Sequence, residues 1–194
     1  NGSGAISAIA SIITRMARPR LSITWLGHST FVLTLPTGKR ILVDPWLGNP
    51  SCPSEFAKPE AIAPIDLILV THGHSDHIGD AIACQRATGA PLVAAYELAE
   101  YFAQKGLTNV HQMNIGGTTE LAGVRISMTF STHSSSTMEN GTRVYLGPAA
   151  GYVLRAPDLP TVYISGDTGL FGDMKMIGEY YKPDLILIPI GGHF

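Results

Sequence analysis

Short apolar runs, broken by glycine, proline and small polar residues, recur along the chain and read mostly as strands. Leu21–Trp25 and Thr30–Leu35 are predicted strands, followed by a hairpin turn at Thr37-Gly38-Lys39 and a strand over Arg40–Val43. Asp44–Pro50 is a loop, and irregular structure continues through Pro64. Asp66–Thr71 is apolar and branched, as expected of a buried strand, and a helix follows from about Ile78 to Thr88. Pro91–Ala95 reads as a strand, Tyr96–Lys105 as a helix, and Val124–Phe130 as a strand ending at Ser131-Thr132-His133. Gly151–Arg155 and Thr161–Ser165 pair around Pro157-Asp158, the second ending at Gly166-Asp167-Thr168. Met174–Tyr181 is helical, and Asp184–Pro189 is a strand ending at Gly191-Gly192-His193.

Antiparallel strands in both halves, with helices between, pack most simply as an α/β four-layer αββα sandwich with two mixed or antiparallel central sheets. A weak internal echo supports two related halves: Pro64–Val70 resembles Lys182–Ile188, and each copy runs into glycine and histidine. Ahead of the first strand, Ala5, Ala8, Ile9, Ile12, Ile13 and Met16 form one stripe of a helix over Ala5–Ala17. That stretch is too short and too polar on one side to cross a bilayer, and it lacks a signal peptide's basic start and cleavage pattern. It is expected to pack on the domain, with a dimer or membrane-surface contact as the alternatives. Residues 1–20 thus read as an extension with a linker-like start, and 21–194 as the domain.

Composition narrows the class. A chain of 194 residues predicts one domain, and 45% hydrophobic against 14% charged residues predicts a well-filled core. The net charge is −2 and no Lys/Arg-rich run appears, which argues against a nucleic-acid footprint. Cys52 and Cys84 do not make a disulfide framework, in keeping with a cytoplasmic protein.

Residues 72–77 change the picture. His72-Gly73-His74-Ser75-Asp76-His77 places three of the seven histidines and a carboxylate within six positions. Imidazole and carboxylate are ligands of Zn²⁺ and similar ions. His72 and His74, two apart on an extended turn, can chelate one ion, while Asp76 and His77 begin the next element and can hold a second. Structural zinc sites favour cysteine-rich closed tetrahedra, and neither cysteine lies near this loop. Two ions need more ligands than one loop supplies. His133, Asp167 and His193, each at a strand end beside small residues, are the obvious donors.

These motifs in this order resemble the metallo-β-lactamase superfamily. Trp25-Leu26-Gly27-His28-Ser29, Val43-Asp44-Pro45, His133-Ser134-Ser135-Ser136 and Gly166–Phe171 resemble, more narrowly, its uncharacterised metal-dependent hydrolases. That group is similar to L-ascorbate-6-phosphate lactonase and, more distantly, to the N-acyl-phosphatidylethanolamine phospholipase D enzymes. The resemblance covers roughly Leu21 to Phe194. It implies that His72, His74 and His133 hold one ion, that Asp76, His77 and His193 hold the other, and that Asp167 bridges them. It makes Asp44 a brace behind the metal loop and His28 a histidine that can face the site, a structural hydrogen bond being its other reading. His111 matches nothing and reads as a surface or core histidine. The family pattern begins near Leu21 and runs past Phe194 into more loop and a helix, so the sandwich is expected to lack its last helix.

The resemblance implies two divalent ions, with Zn²⁺ expected and Mn, Fe or Ni as alternatives. A hydroxide shared by the ions would attack a carbonyl or phosphoryl centre, with Asp76 moving a proton to the leaving group. A serine hydrolase is disfavoured, because Gly-x-Ser-x-Gly is absent and His133 is wanted by the metal. The favoured partner is a small-molecule ester, a lactone or a phosphorylated metabolite. A phospholipid phosphodiester and a catalytically incomplete metal-binding scaffold are the competing readings. No nucleic acid and no transmembrane segment are expected, and a homo-oligomer is compatible with the sequence.

Overall fold

The computed structural model describes residues 20–191. The helix expected over Ala5–Ala17 and the expected ligand His193 lie outside the described residues.

Strands β1 (Ser22–Trp25), β2 (Phe31–Thr34), β3 (Arg40–Val43), β4 (Leu67–Leu69), β5 (Leu92–Ala95) and β6 (Val110–Met113) form a six-stranded sheet in chain order. The first three make an antiparallel meander, and β3 through β6 run parallel. Parallel neighbours need crossovers. Helices α1 (Ser75–Ile78) and α2 (Ala81–Thr88) connect β4 to β5, and α3 (Tyr96–Gln104) connects β5 to β6. The chain then forms β7 (Thr118–Leu121), β8 (Val124–Phe130), a separate hairpin of β9 (Ser136–Glu139) and β10 (Thr142–Tyr145), β11 (Ala150–Arg155) and β12 (Val162–Ile164). Helix α4 (Asp173–Tyr181) and β13 (Leu185–Leu187) follow. The second sheet has the order β13-β12-β11-β8-β7.

Period-two alternation assigns each side of the first sheet to a different core. Ile41, Val43, Leu67, Leu69 and Val93 meet Ile126, Met128, Tyr152 and Ile164 of the second sheet. Leu42, Ile68, Val70, Leu92 and Ala94 instead meet Ala81, Cys84, Leu98 and Phe102 of α2 and α3. On the far side of the second sheet, Val153 and Tyr163 pack on Ile177 of α4. The layers are therefore helix, sheet, sheet, helix, the expected αββα sandwich. Tyr152 reaches across the middle, and its buried hydroxyl donates to the Val70 carbonyl at 2.7 Å. Beside it, the Ala150 amide donates to the Thr71 carbonyl at 3.0 Å. Both contacts fasten the second sheet to the chain just before His72.

The internal echo has a structural counterpart. Asp66 and Asp184 each donate a backbone hydrogen bond to the start of the parallel neighbour, at the Arg40 and Thr161 carbonyls, both at 2.8 Å. Their carboxylates each accept the return bond, from the Arg40 amide at 2.9 Å and the Thr161 amide at 2.7 Å.

Two sequence expectations need correction. The single helix from about Ile78 to Thr88 is broken into α1 and α2 at Gly79-Asp80. Asp80 is drawn off the helical path. Its carboxylate accepts the Leu47 amide at 2.6 Å and the Gly48 amide at 3.1 Å, and its own amide donates to the Pro45 carbonyl at 2.8 Å. Strands β6, β7, β9 and β10 were not expected from the pattern. All are half-exposed and polar, because they sit at sheet edges or in the outlying hairpin.

Candidate metal centre

The site grows from the end of β4. The chain leaves the core through Val70 and Thr71 and turns into His72-Gly73-His74, after which α1 carries Asp76 and His77. Gly73 is required by a close approach: a Cβ there would come 2.5 Å from Leu146 Cδ1 and 2.7 Å from Leu146 Cβ. The Gly73 amide is held by Ser135 Oγ at 3.0 Å.

Buried Asp44 organises the loop. One carboxylate oxygen accepts the Thr71 amide at 2.7 Å. The other accepts the Thr71 hydroxyl at 2.7 Å and His77 Nδ1 at 2.8 Å. With its proton committed to Asp44, Thr71 Oγ1 must accept from His72 Nδ1, 3.1 Å away. Both His72 and His77 thereby turn Nδ1 away and present Nε2 to the site. His74 has the opposite arrangement. Its Nε2 meets Ser134 Oγ at 3.2 Å, and its Nδ1 lies 3.0 Å from His72 Nε2.

Two further loops close the site from the second sheet. His133 follows β8 and Asp167 follows β12, and the loops are stitched together: the Thr132 amide donates to Thr168 Oγ1 at 3.0 Å, and the Gly169 amide to the Thr132 carbonyl at 3.1 Å. Gly166 has a φ of +61°, and a Cβ there would lie 2.7 Å from Thr71 Cβ, so glycine lets the Asp167 loop settle on the metal loop. Asp167 Oδ2 lies 3.3 Å from His77 Nε2 and 3.9 Å from His133 Nε2. The rings of His72 and His133 are 5.0 Å apart, as are those of His74 and His133.

Three sets of side chains bring ligand atoms within 4.8 Å of one another: His72, His74 and His133; His72, His77 and Asp167; and His28, Asp76 and His77. The first is the set expected for one ion. Asp167 is placed within 4 Å of both His77 and His133, Asp44 bonds Thr71 and His77 from the buried side, and His28 meets Asp76. His111 stands apart: it sits on β6 with Nε2 3.2 Å from Asn109 Oδ1. Thr71, which relays Asp44 to His72, and Leu146, which dictates Gly73, were not singled out from sequence. A threonine directly before the first histidine was the available signal.

Electrostatics agree with a ligand cluster. Burial and the neighbouring imidazoles push His72 down to about 2, which keeps it neutral and its lone pair available. For His77 burial acts downward, but Asp44 and Asp167 outweigh it and carry the group up to about 10. Burial acts upward on Asp167, yet His77 holds its carboxyl below the usual carboxylate range. A site so arranged demands positive charge next to Asp167. The Nε2 atoms of His77 and His133 are buried without a hydrogen-bond partner. The 3.3 Å approach of His77 to Asp167 is thus a close contact lacking hydrogen-bond alignment. Inward-pointing imidazole nitrogens beside a carboxylate fit a divalent cation, which would take the place of the proton on His77.

A cleft of about 670 Å³ opens over the cluster, lined by His28, Phe31, His133, Ile164, Asp167 and Ile186 among others. A smaller one of about 370 Å³ adjoins His133 beside Ser136, Arg143 and Tyr145. No helix among the described residues is long and apolar enough to cross a membrane.

Fold and site together define a metallo-hydrolase, and comparison with known proteins gives the family. The model of the family described as "Beta-lactamase superfamily domain" matches residues 39–193. A metal-dependent hydrolase of Roseiflexus sp. (strain RS-1) is 44% identical over 176 residues, covering 89% of this chain and 72% of the relative. One from Methanopyrus kandleri is 46% identical over 175 residues, covering 90% and 74%. A crystallised metallo hydrolase of the hyperthermophilic archaeon Ignicoccus hospitalis superposes with a TM-score of 0.77 at 37% identity, over 90% of this chain and 72% of that one. The chain belongs to the beta-lactamase superfamily and, within it, to the metal-dependent hydrolases.

Proposed function

We propose that the chain hydrolyses a small-molecule ester, a lactone or a phosphorylated metabolite, at a dinuclear centre. His72, His74 and His133 would hold one ion, Asp76, His77 and His193 the other, with Asp167 shared. The observation that carries the reading is the convergence of His72, His74, His77 and His133 on Asp167, with His72 and His77 held from behind by Thr71 and Asp44 and with the Nε2 atoms of His77 and His133 buried without a partner. Zinc is the favoured occupant, since imidazole and carboxylate suit it, and Mn, Fe and Ni share much of that preference. The two free cysteines, Cys52 and Cys84, agree with a cytoplasmic setting.

Divalent ions in such a site lower the pKa of water toward neutrality and polarise the ester oxygen. The protein's own groups do the rest. Phe31, Ile164 and Ile186 supply an apolar wall for the carbon skeleton of the substrate. Asp76, partly exposed beside His28, would accept the proton released as water adds to the carbonyl or phosphoryl centre and return it to the departing oxygen. Asp44 keeps His72 and His77 aimed while charge shifts.

Elemental analysis of protein purified without added metal, joined to a panel of lactones, thioesters and phosphodiesters, tests the reading. Two equivalents of metal per chain, with lactone or phosphoester turnover lost in His74→Ala, are expected. One equivalent or none, with no turnover on any panel member, would assign the chain to a metal-binding scaffold instead. Turnover confined to phospholipid phosphodiesters would replace the substrate class.

A further inference from the structure

His28 has no place among the ions' ligands in the function proposed above. It lies on the turn between β1 and β2, distant in sequence from every other site residue, yet its Nε2 is 3.0 Å from Asp76 Oδ2. Its ring packs edge-on against His77, with centroids 5.2 Å apart, and against Trp46 at 5.3 Å. Ligand atoms of His28, Asp76 and His77 all fall within 4.8 Å of one another.

The backbone adds an independent observation. His28 has a φ of 49°, the left-handed region, directly after Gly27 at 92°. A residue with a Cβ is strained there. A Cβ at Gly27 would collide with the Asn49 side chain, so the turn is built around glycine at 27 and carries its strain at 28. The surroundings hold that strain in place. The Thr30 amide donates to the Gly27 carbonyl at 3.0 Å, Trp25 Nε1 to the His28 carbonyl at 2.8 Å, and Asn49 Nδ2 to the Leu26 carbonyl at 2.9 Å. Thr30 Oγ1 then donates to the Asp44 carbonyl at 2.7 Å, tying the turn to the residue that braces the metal loop. Asp44 itself has a φ of 46°. Of the six non-glycine residues with positive φ among the described residues, His28 and Asp44 are the two at the site, and one threonine joins them.

An ion pair with Asp76 alone does not account for the arrangement. The two side chains are 35% and 28% exposed. Pairs exposed to that degree return less than the left-handed backbone costs. Solvent could also satisfy His28 without the strain.

We propose that His28 is a direct ligand of the second ion, completing the donors offered by Asp76 and His77. The assignment rests on the dinuclear reading above. It makes His28, Asp76 and His77 three mutually close nitrogen and oxygen donors for that position, of the types zinc takes. The β1–β2 turn is then part of the metal centre, and the cleft mouth beside Phe31 is shaped by it.

The test is metal stoichiometry and affinity on the full chain, by equilibrium dialysis against zinc with a competing chelator and by the visible spectrum of the cobalt(II) form. Wild type, His28→Ala, His28→Gln and His74→Ala are compared, with the far-UV spectrum of each metal-free protein as the folding control. His28→Gln keeps a polar side chain able to hydrogen-bond Asp76, so it separates ligation from that contact. The wild type should bind two equivalents. Both His28 variants should keep the first equivalent unchanged and bind the second at least ~100-fold more weakly, since even partners behind a ligand cost 10–100-fold. The cobalt bands of the second equivalent should change and those of the first should not. Two equivalents at wild-type affinity in either folded His28 variant overturns the proposal while leaving the dinuclear reading standing. Fewer than two in the wild type overturns both.

Discussion

Asp44 and His77 meet through a buried contact, the Asp44 carboxylate 2.8 Å from His77 Nδ1, and the same oxygen takes the Thr71 hydroxyl at 2.7 Å. One carboxylate thereby sets the tautomers of two metal-facing imidazoles, His77 directly and His72 through Thr71. Asn at position 44 would offer a donor where Thr71 and His77 already donate. We expect Asp44→Asn to lower metal affinity by about 10–100-fold and to destabilise the metal-free protein by about 1–3 kcal/mol, the cost of a buried group left unpaired. Chelator competition and thermal melts of both forms check this. Unchanged affinity would show that the tautomers are set some other way.

Gly73 is fixed by Leu146, which comes from the segment after β10 and is buried. Ala at 73 must push back the Cβ of Leu146 as well as its tip, so rotamer change alone cannot relieve it. Gly73→Ala should cost about 1–3 kcal/mol, as overpacked cores do, and should displace His72 and His74 relative to each other. The reading predicts lower metal content together with a lower melting temperature, and Gly73→Ala combined with Leu146→Ala should recover part of both. A single variant with normal metal content would contradict it.

The candidate metal loop was legible in the sequence because its histidines and aspartate are neighbours along the chain. His133 and Asp167 were legible as polar residues ending apolar strands. The Asp66 and Asp184 echo was visible as similar wording, but its meaning, matched bonds to Arg40 and Thr161, needed the parallel pairing. Contacts made across long separations stayed hidden. Thr71 looked like a strand end, Leu146 fell in no predicted element, and Asp80 lay inside the predicted helix rather than being the clasp that breaks it. Strands β6 and β7 lacked a signal since edge strands pack on one side only and can afford polar side chains.

Removing the metal should leave the sandwich intact. The two main cores bury a large apolar surface between and beside the sheets, and that burial does not need the cation, although His72, His77 and Asp44 are themselves buried at its edge. Chelated protein should keep its far-UV spectrum yet melt at a lower temperature, with the difference growing as free metal rises. Binding to the folded state alone gives about 2.7 kcal/mol at a hundredfold excess over Kd. Identical melts with and without chelator would mean that the site does not bind metal in the native state. Loss of the far-UV signal would mean that the cation is structural.

The hairpin that borders the smaller cleft is tied to α3 by one carboxylate, and this gives a pH dependence. Glu139 on β9 accepts the Tyr101 hydroxyl at 2.7 Å and pairs with Lys105. Lys105 and then Tyr101 hold the Glu139 carboxyl below its usual range. Burial, helped by Glu139, pushes the Tyr101 phenol up to about 12. A lowered carboxylate stabilises the fold above its unfolded pKa near 4.3, and that contribution disappears as pH falls through the lower folded value. A raised phenol works on the other side: its contribution is complete below about 10 and is lost as pH rises toward about 12. The clasp should therefore be strongest between about pH 5 and 9, and weaker in high salt because Glu139 is exposed. The protection of β9 and β10 amides, measured as exchange relative to the intrinsic rate at each pH, should fall at pH 3 relative to pH 7 in the wild type. In Glu139→Gln, protection at pH 7 should already be low and the acid step small. Equal acid steps in the two proteins would show that another group controls the hairpin.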